Sequence, residues 1–375
     1  MKWIVVAAIL LFPFASASAQ TPAAPAPFDG FKIGSFTFKP GGRIKVDLIR
    51  DFDAIESEDS FDPRTIVIGG DDDSGNSQIH AKETRLSLDI RGPVEGKELK
   101  MYVETDFYGS GSVLRLRQAY GSWGGLLAGQ AFSVFVDEAN FPNTIDFESP
   151  MAFPSIRQAQ VRWTSQLSSN AFWSIAVEDN KSSITAPTDE PGKAEYPMPD
   201  LTTNVRFGGD RGHVFVSGFL GKARFNPVNG PNNDVTLWGS MLSTRLKTFG
   251  KDYAYAMFTF GDGVGRYRGG VTAVPDFNGE LQAVGLNAFT LGYEHYWSDT
   301  VTTNATYAIT SLNDEPYYSD SFNKQLDYGA VNVLYWFLPG RAWAGVEYLY
   351  GRREVFSGSS DTANRIQFAV RFNFP

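Results

Sequence analysis

The stretch that decides the fold is the last one, "RIQFAVRFNFP" (365–375). Ile366, Phe368, Val370, Phe372 and Phe374 take every second place, and Arg365, Gln367, Ala369, Arg371 and Asn373 fill the gaps. A period of two is a β-strand with one apolar and one polar face. In a soluble sandwich the apolar face meets a core and the polar face meets bulk water. In a transmembrane barrel lipid lies outside and water within.

The start of the chain bears on that choice. Met1-Lys2-Trp3, an apolar run from Ile4 to Phe14 and Ala17-Ser18-Ala19 read as a secretory signal peptide over 1–19, too short to cross a bilayer as a helix. No uninterrupted apolar stretch of about 18 residues follows, so a transmembrane helix is not expected. The expected organisation is a short periplasmic segment over 20–38 and one barrel over 39–375. Cysteine is absent, which excludes disulfides, thiol chemistry and cysteine metal sites. The 37 glycines, 14% aromatic residues and slightly polar mean hydropathy suit alternating strands better than a conventional core.

The alternation recurs in "RIKVDLI" (43–49), "ETRLSLDIRG" (83–92), "ELKMYVETDF" (98–107) and "VLRLRQAY" (113–120). Continued along the chain it gives about sixteen strands of roughly 8–14 residues, the length a tilted membrane strand needs. The connections alternate long and short. Long ones are 52–78, 135–155, 179–199, 221–233, 262–286, 311–325 and 353–362, with 108–112 the one short member of that set. Outer-membrane barrels have short periplasmic turns and longer outward loops, whereas neither a sandwich nor a propeller calls for such a pattern. Aromatics gather near strand ends (Tyr120 and Trp123, Trp163, Trp173, Trp238, Tyr293 to Trp297, Tyr335 to Phe337, Tyr348 and Tyr350, Phe372 and Phe374), as interfacial girdles require. The expected fold is all-β, a transmembrane antiparallel barrel. Phe368 faces lipid and Arg371 faces a wet lumen.

Formal net charge is −9, but its distribution says more. Loop 52–78 carries Asp53, Glu56, Glu58, Asp59, Asp62 and Asp71 to Asp73 against Arg64. The polar strand face carries Arg43, Lys45, Arg85, Arg91, Lys100, Arg115, Arg117, Arg162, Arg206, Arg245, Lys247, Arg365 and Arg371. Its acids are fewer: Asp47, Glu83, Asp89, Glu104, Asp106, Glu178, Glu294 and Glu347. An acidic mouth over a basic wall results. About half of the cations are expected to pair with these acids; the surplus concentrates anions, because low-dielectric walls focus the field. Arginine binds carboxylates in bidentate fashion. Loop 135–155, "FVDEANFPNTIDFESPMAFPS", is rich in Pro and Phe and is expected to fold inward as a constriction. It would bring Asp137, Glu138, Asp146 and Glu148 opposite the cationic strands.

"ETRLSLDIRGP" (83–93), "LRLRQAYGSWGGLLAGQ" (114–130), "GDGVGRY" (261–267) and "VEYLYGRREVFSG" (346–358) resemble the DcaP-like outer-membrane porins of Gram-negative bacteria, over most of the mature chain. The resemblance implies a sixteen-stranded homotrimer with a basic constriction, passing small anions such as dicarboxylates and aromatic acids. It carries over Arg85, Arg115 and Arg117 as lumenal cations, and Arg352 and Arg353 also match. One departure is plain: the best-known members have a helical extension before the barrel, where this chain has only Gln20 to Gly30. Small outward residues at Ala254 and Ala256 suit a subunit contact. Partners are then outer-membrane lipid and lipopolysaccharide, with small anionic solutes as cargo.

Other readings are weaker. "GDGVG" (261–265) lacks the lysine of a phosphate loop and reads as a turn. "DDDSGN" (71–76) lacks the closing glutamate of a calcium loop. His80, His213 and His295 are far apart, so no metal is expected. His213 with Ser217 is the nearest approach to a hydrolase pair, without a nucleophile motif. No cofactor is implied, and acidic loops disfavour nucleic acid. The rival to an anion channel is a structural or adhesive barrel with a plugged lumen.

Overall fold

Sixteen antiparallel strands are each hydrogen-bonded to the next, and the last closes on the first. The computed structural model describes residues 30–70, 75–180, 182–186, 191–229 and 231–374. The segment expected as a signal peptide and the acidic run Asp71–Asp73 lie outside the described residues. The strands are β1 (Phe36–Asp51), β2 (Arg85–Val94), β3 (Lys97–Gly109), β4 (Val113–Trp123), β5 (Leu126–Phe132) and β6 (Arg157–Ser168). Then come β7 (Ala171–Glu178), β8 (Asp200–Gly209), β9 (Gly212–Pro227), β10 (Asn233–Lys247) and β11 (Tyr253–Asp262). The last five are β12 (Gly285–Tyr296), β13 (Val301–Leu312), β14 (Asn323–Leu338), β15 (Ala342–Val355) and β16 (Ser360–Asn373). Closure runs from Arg43↔Asn373 to Asp51↔Arg365. The first paired strand thus begins three residues before the expected boundary at 39, and a short strand, Phe31–Ile33, pairs back on it.

The opening stretch behaves as its period requires. Arg365, Gln367 and Ala369 are buried, while Phe368, Val370 and Phe372 are exposed. The same inversion holds at Leu86, Val103, Leu116, Val161, Leu201, Val216, Leu242, Leu291 and Val333, each 44–57% exposed. In water these nine would forfeit on the order of 10 kcal/mol of apolar burial, as much as the whole stability of many soluble domains. A hydrocarbon surround removes that penalty. Near the strand ends Trp163, Trp238, Trp297, Tyr335 and Tyr348 are exposed. The Trp238 and Trp297 ring N–H groups donate to Asp262 and Thr303 at 2.9 Å, giving each ring an apolar body and a satisfied polar edge.

Turns at one end are short. Glu95 and Gly96 join β2 to β3 with φ of 49° and 76°, the left-handed pair that a two-residue hairpin demands. Two loops expected to be long are not. The strands run on to Pro227 and restart at Asn233, and only 356–359 separates β15 from β16. Alternation continues through Lys222, Ala223, Arg224 and Phe225, and Arg224 Nη2 bonds Asp234 at 2.8 Å across the pair, so the hairpin projects as a ribbon.

One bulge changes the phase. Glu104 is opposite Gln118 and Thr105 opposite Leu116, leaving Arg117 extra. Two consecutive residues, Arg117 and Gln118, therefore turn inward. Beyond the bulge Tyr120 also faces the interior, where Lys100 Nζ donates to its hydroxyl at 3.0 Å. Tyr120 is not a girdle residue, contrary to the expectation from a strict period of two.

The interior is partly packed. Phe135 and Phe153 from loop 133–156, with Val264 and Tyr267 from loop 263–284, bury against Phe215, Phe219, Leu237, Met241 and Met257 of β9 to β11. Phe61 and Ile66 of loop 52–84 bury against Tyr328, Ala330, Leu349 and Ala363 of β14 to β16. The acidic loop is thus not simply a solvated mouth: its middle is seated inside the barrel. "GDGVG" leads into a short 3-10 helix, Val264–Arg268, rather than a plain turn.

Candidate functional site in the barrel interior

Register sets cations of β16, β1, β2 and β4 in one row on the inner face, with Asp106 of β3 among them. Lys45 is opposite Arg371, Arg43 opposite Arg85, Arg85 opposite Asp106, and Asp106 opposite Arg115. Like charges directly across strands repel, and a few carboxylates relieve them. Glu83 pairs with Arg43 and Lys45 and lies 3.7 Å from Arg85. Asp106 takes Arg115 in a two-bond fork of 2.9 and 2.7 Å and also Arg117 at 2.8 Å. Glu104 takes Arg117 at 2.7 Å.

The predicted basic residues therefore divide. Arg43, Arg85 and Arg115 are paired yet reach solvent, Arg115 with 38% of its side chain exposed. Arg91 pairs with Asp89 at 2.8 Å near a short turn. Arg245 pairs with Glu294 and lies over the Tyr253 ring at 4.9 Å. Arg162, Arg206 and Arg371 have no acidic partner among the described residues, and Arg371 lies over Trp343 at 4.9 Å. Three point inward but are buried instead of water-facing: Lys45, Arg117 and Arg365. Arg365 forks onto Asp51 at 2.6 and 3.0 Å and donates to the Ser57 and Glu58 carbonyls. It holds loop 52–84 down, and water does not reach it.

The four loop acids divide as well. Asp137 is buried against β9 and β10, bonded to His213 Nε2 and Ser243 Oγ, both at 2.7 Å. Asp146 is buried too, accepting from the Phe61 and Glu148 backbone N–H groups at 2.9 and 2.8 Å, with Arg365 at 3.8 Å. Burial pushes its carboxyl up to about 6 against the pull of Arg365. Neither lies opposite the cationic wall as a free charge; both anchor the loop. Glu138 is exposed, within the field of Arg162, Lys100 and Arg157, and Glu148 pairs with Arg268 at 3.0 Å.

Other anchors fix loop 133–156 to the inner faces of β9, β10, β14 and β15. Asn140 donates to Ser243 Oγ at 2.7 Å, Ser217 to the Phe135 carbonyl at 2.8 Å, and Asn332 to the Asn143 carbonyl at 2.8 Å. The Ile145 and Asp146 N–H groups donate to Glu347 at 2.9 and 2.7 Å. Ser217 is thus engaged by the loop, and His213 by Asp137, so the two do not form a hydrolase pair. Among the described residues no three His, Cys, Asp or Glu side chains cluster as a metal site.

Two cavities flank the loop. One, of about 400 Å³ at the long-loop end, is lined by Glu56 to Ser60, Tyr108, Arg115, Phe147 and Glu148. There Phe147 stacks on Tyr108 at 3.9 Å, with Arg115 5.6 Å from each ring. The other, of about 390 Å³ at the short-turn end, is lined by Arg206, His213, Arg245, Tyr253 and Ala139. Sequence reasoning missed several interior residues. Arg157 lies over Phe132 at 5.0 Å with no acid partner among the described residues. Arg266 pairs with Asp200 from within the long loop expected over 262–286; an arginine within the glycine-rich "GDGVGRY" is its one available signal.

Residues 25–374 match the family described as DcaP outer membrane protein. The chain belongs to that family. Its fold is that of the outer membrane channel DcaP of Acinetobacter baumannii, at a TM-score of 0.81 and 23% identity over 92% of this chain and 99% of that one. An anion-selective porin from Comamonas acidovorans aligns at 0.63 with 11% identity over 90% of this chain and all of that one (100%). Salmonella typhi OmpF aligns at 0.61 with 8% identity over 91% and 98%. No curated protein sequence matches. The molecule is a channel of the porin type in the outer membrane of a Gram-negative bacterium, and not an enzyme.

Proposed function

We propose that the chain is a passive diffusion channel for small anionic solutes such as dicarboxylates or aromatic acids, with loop 133–156 as its constriction. The observation that carries this reading is the surplus of inward cations without acidic partners among the described residues: Arg157, Arg162, Arg206 and Arg371. In a narrow aqueous tube such charges enrich anions. The outer cavity supports the solute class: Arg115, forked onto Asp106 through Nε and Nη2, keeps its Nη1 for a carboxylate beside the Phe147–Tyr108 stack, a surface for a flat ring. Glu56, Glu58, Asp59 and Glu148 line the same cavity, Asp59 paired with Lys82 and Glu148 with Arg268, so the station is mixed in charge. The relative from Comamonas acidovorans, described as anion-selective, lends support through its fold.

The lipid-facing band implies outer-membrane lipid and lipopolysaccharide as surroundings. The homotrimer rests on family resemblance, with Ala254 and Ala256 as outward small residues, and a relative from Vibrio cholerae described in a trimer form. The test is a reversal potential across planar bilayers under a salt gradient. Chloride preference is expected. Cation preference would overturn the reading, and stable insertion without conductance would make the molecule a plugged structural barrel instead.

A further inference from the structure

We infer that the short-turn end of the lumen holds a second anion-binding station, separate from the outer one, that takes a small carboxylate as it leaves loop 133–156. The inference rests on the anion-channel reading and adds a place and a direction to it. The cavity there, about 390 Å³, falls within the range of sites that hold a single small organic molecule. Its lining differs in kind from the outer cavity. The outer one sets Glu56, Glu58, Asp59 and Glu148 against Arg115, whereas no aspartate or glutamate lines the inner one.

Arg206 is the centre of the station. It sits on β8 opposite Phe172 on one neighbour and Phe215 on the other, so neither cross-strand position supplies a carboxylate. No ion pair reaches it among the described residues, and an unpaired guanidinium beside apolar neighbours seeks an anion. Arg245 stands beside it, its guanidinium occupied on one side by Glu294 and set over Tyr253 and Tyr255 at 4.9 and 5.5 Å. That leaves a pre-oriented planar donor and an aromatic wall. His213 is held by Asp137 of the loop, so loop and cavity share one hydrogen-bonded frame. Gly208, Gly209 and Gly212 leave the space open. Just above, Asn204 donates to the Val134 carbonyl at 2.7 Å, which places the start of the loop directly over Arg206 along β8.

An anion coming through therefore passes from a mixed-charge station to one where Arg206 has no acid partner among the described residues, Arg245 and His213 being paired with Glu294 and Asp137. Access to this station is shorter from the short-turn side, so block should be asymmetric.

Succinate is the probe. Purified protein is inserted into planar bilayers from one side in chloride, and succinate is added to each compartment in turn. In the wild type, succinate from the short-turn side should interrupt the current at a concentration several-fold lower than from the long-loop side. Arg206→Gln should weaken that block roughly tenfold or more, since a charge-assisted contact is lost. Ala139→Glu, which adds a carboxylate from the loop side, should abolish it. Lys251→Gln, at an exposed turn where Lys251 pairs with Asp299, should leave it as in the wild type. Equal block from both sides, or an unchanged block constant in both Arg206→Gln and Ala139→Glu, overturns the station. The chloride reversal potential of the same membranes separates the two readings. Anion preference with insensitive block sinks the station alone, whereas cation preference sinks the channel reading and the station with it.

Discussion

Replacing Arg115 with glutamine removes one positive charge from the outer cavity and keeps a side chain able to donate to Asp106. The structure allows the size of the effect to be worked out. Asp106 loses a two-bond fork of 2.9 and 2.7 Å but keeps Arg117 at 2.8 Å, so the wall is not left with an orphaned acid. An ion passing about 6 Å from the lost charge feels about 0.7 kcal/mol at the dielectric constant of water. Screening at 0.1 M salt reduces this to about 0.4 kcal/mol. Anions lose a factor of about 2 and cations gain the same factor, so the chloride-to-potassium permeability ratio should fall about fourfold. The assay is the reversal potential in planar bilayers, on protein shown to be folded by its heat-dependent gel mobility. The neighbouring change, Arg117→Gln, should act differently. Only 4% of that side chain is exposed, and it holds both Glu104 and Asp106. Breaking a buried pair costs about 3–5 kcal/mol, so the folded band should be lost at lower temperature. A folded Arg115→Gln channel with an unchanged permeability ratio would refute the assignment of Arg115 to the ion path.

Three further outcomes follow from the anchors. Arg365→Leu strands Asp51 and releases the Ser57 and Glu58 carbonyls, costing about 3–5 kcal/mol; loop 52–84 should become protease-sensitive in the intact barrel, and unchanged resistance would contradict its role. Asn140→Ala removes donations to Ser243 and the Thr244 carbonyl, about 1–3 kcal/mol of attachment, and single-channel current should become larger and noisier. Because burial raises the Asp146 carboxyl to about 6, anion preference should rise as pH falls through that value, a step that Asp146→Asn should erase. The folded state then binds the extra proton between the ordinary carboxylate pKa of about 3.9 and about 6, so stability falls as pH rises across that window and is level above it; melting followed from pH 4 to 7 checks the sign.

The barrel was legible because period two is enforced by two solvents at once. Wherever lipid lies on one side and water or polar packing on the other, as at Phe368 and Arg371, the sequence must alternate. Legibility failed where that condition fails. At Arg117 a single inserted residue shifts the phase, and no side-chain type announces a bulge. On "HVFVSGFL" (213–220) both faces are apolar, since Val214, Val216 and Leu220 meet lipid while Phe215 and Phe219 meet Phe135 and Tyr267. Such doubly apolar strands are the trace of an inward loop. The apolar residues of loop 52–84, Phe61 and Ile66, were the matching sign that it too is seated inside. Spacing gave the inward direction of Arg365 but not its burial, because the residue that covers it is far away in sequence.

Which arginine serves the fold and which serves the passing ion is decided by the residue across the ladder. Arg85 and Arg115 both sit opposite Asp106, and Arg365 sits opposite Asp51. For each, the strand partner offers a carboxylate, or a carboxylate shared between two cations, and the charge is offset locally, fully at the buried Arg365 and only in part at Arg115, whose side chain stays 38% exposed. Arg157 sits opposite Phe132, Arg162 opposite Leu127 and Ala176, Arg206 opposite Phe172 and Phe215, and Arg371 opposite Lys45 and Trp343. None of these partners can neutralise a guanidinium. Opposite-charge cross-strand pairs add only a few tenths of a kcal/mol up to about 1 kcal/mol, so a barrel of this size loses little stability by leaving four cations unmatched. The field they leave in the lumen acts on every ion that enters. Register, fixed by the hydrophobic period on the outer face, thereby also fixes the distribution of free charge on the inner one.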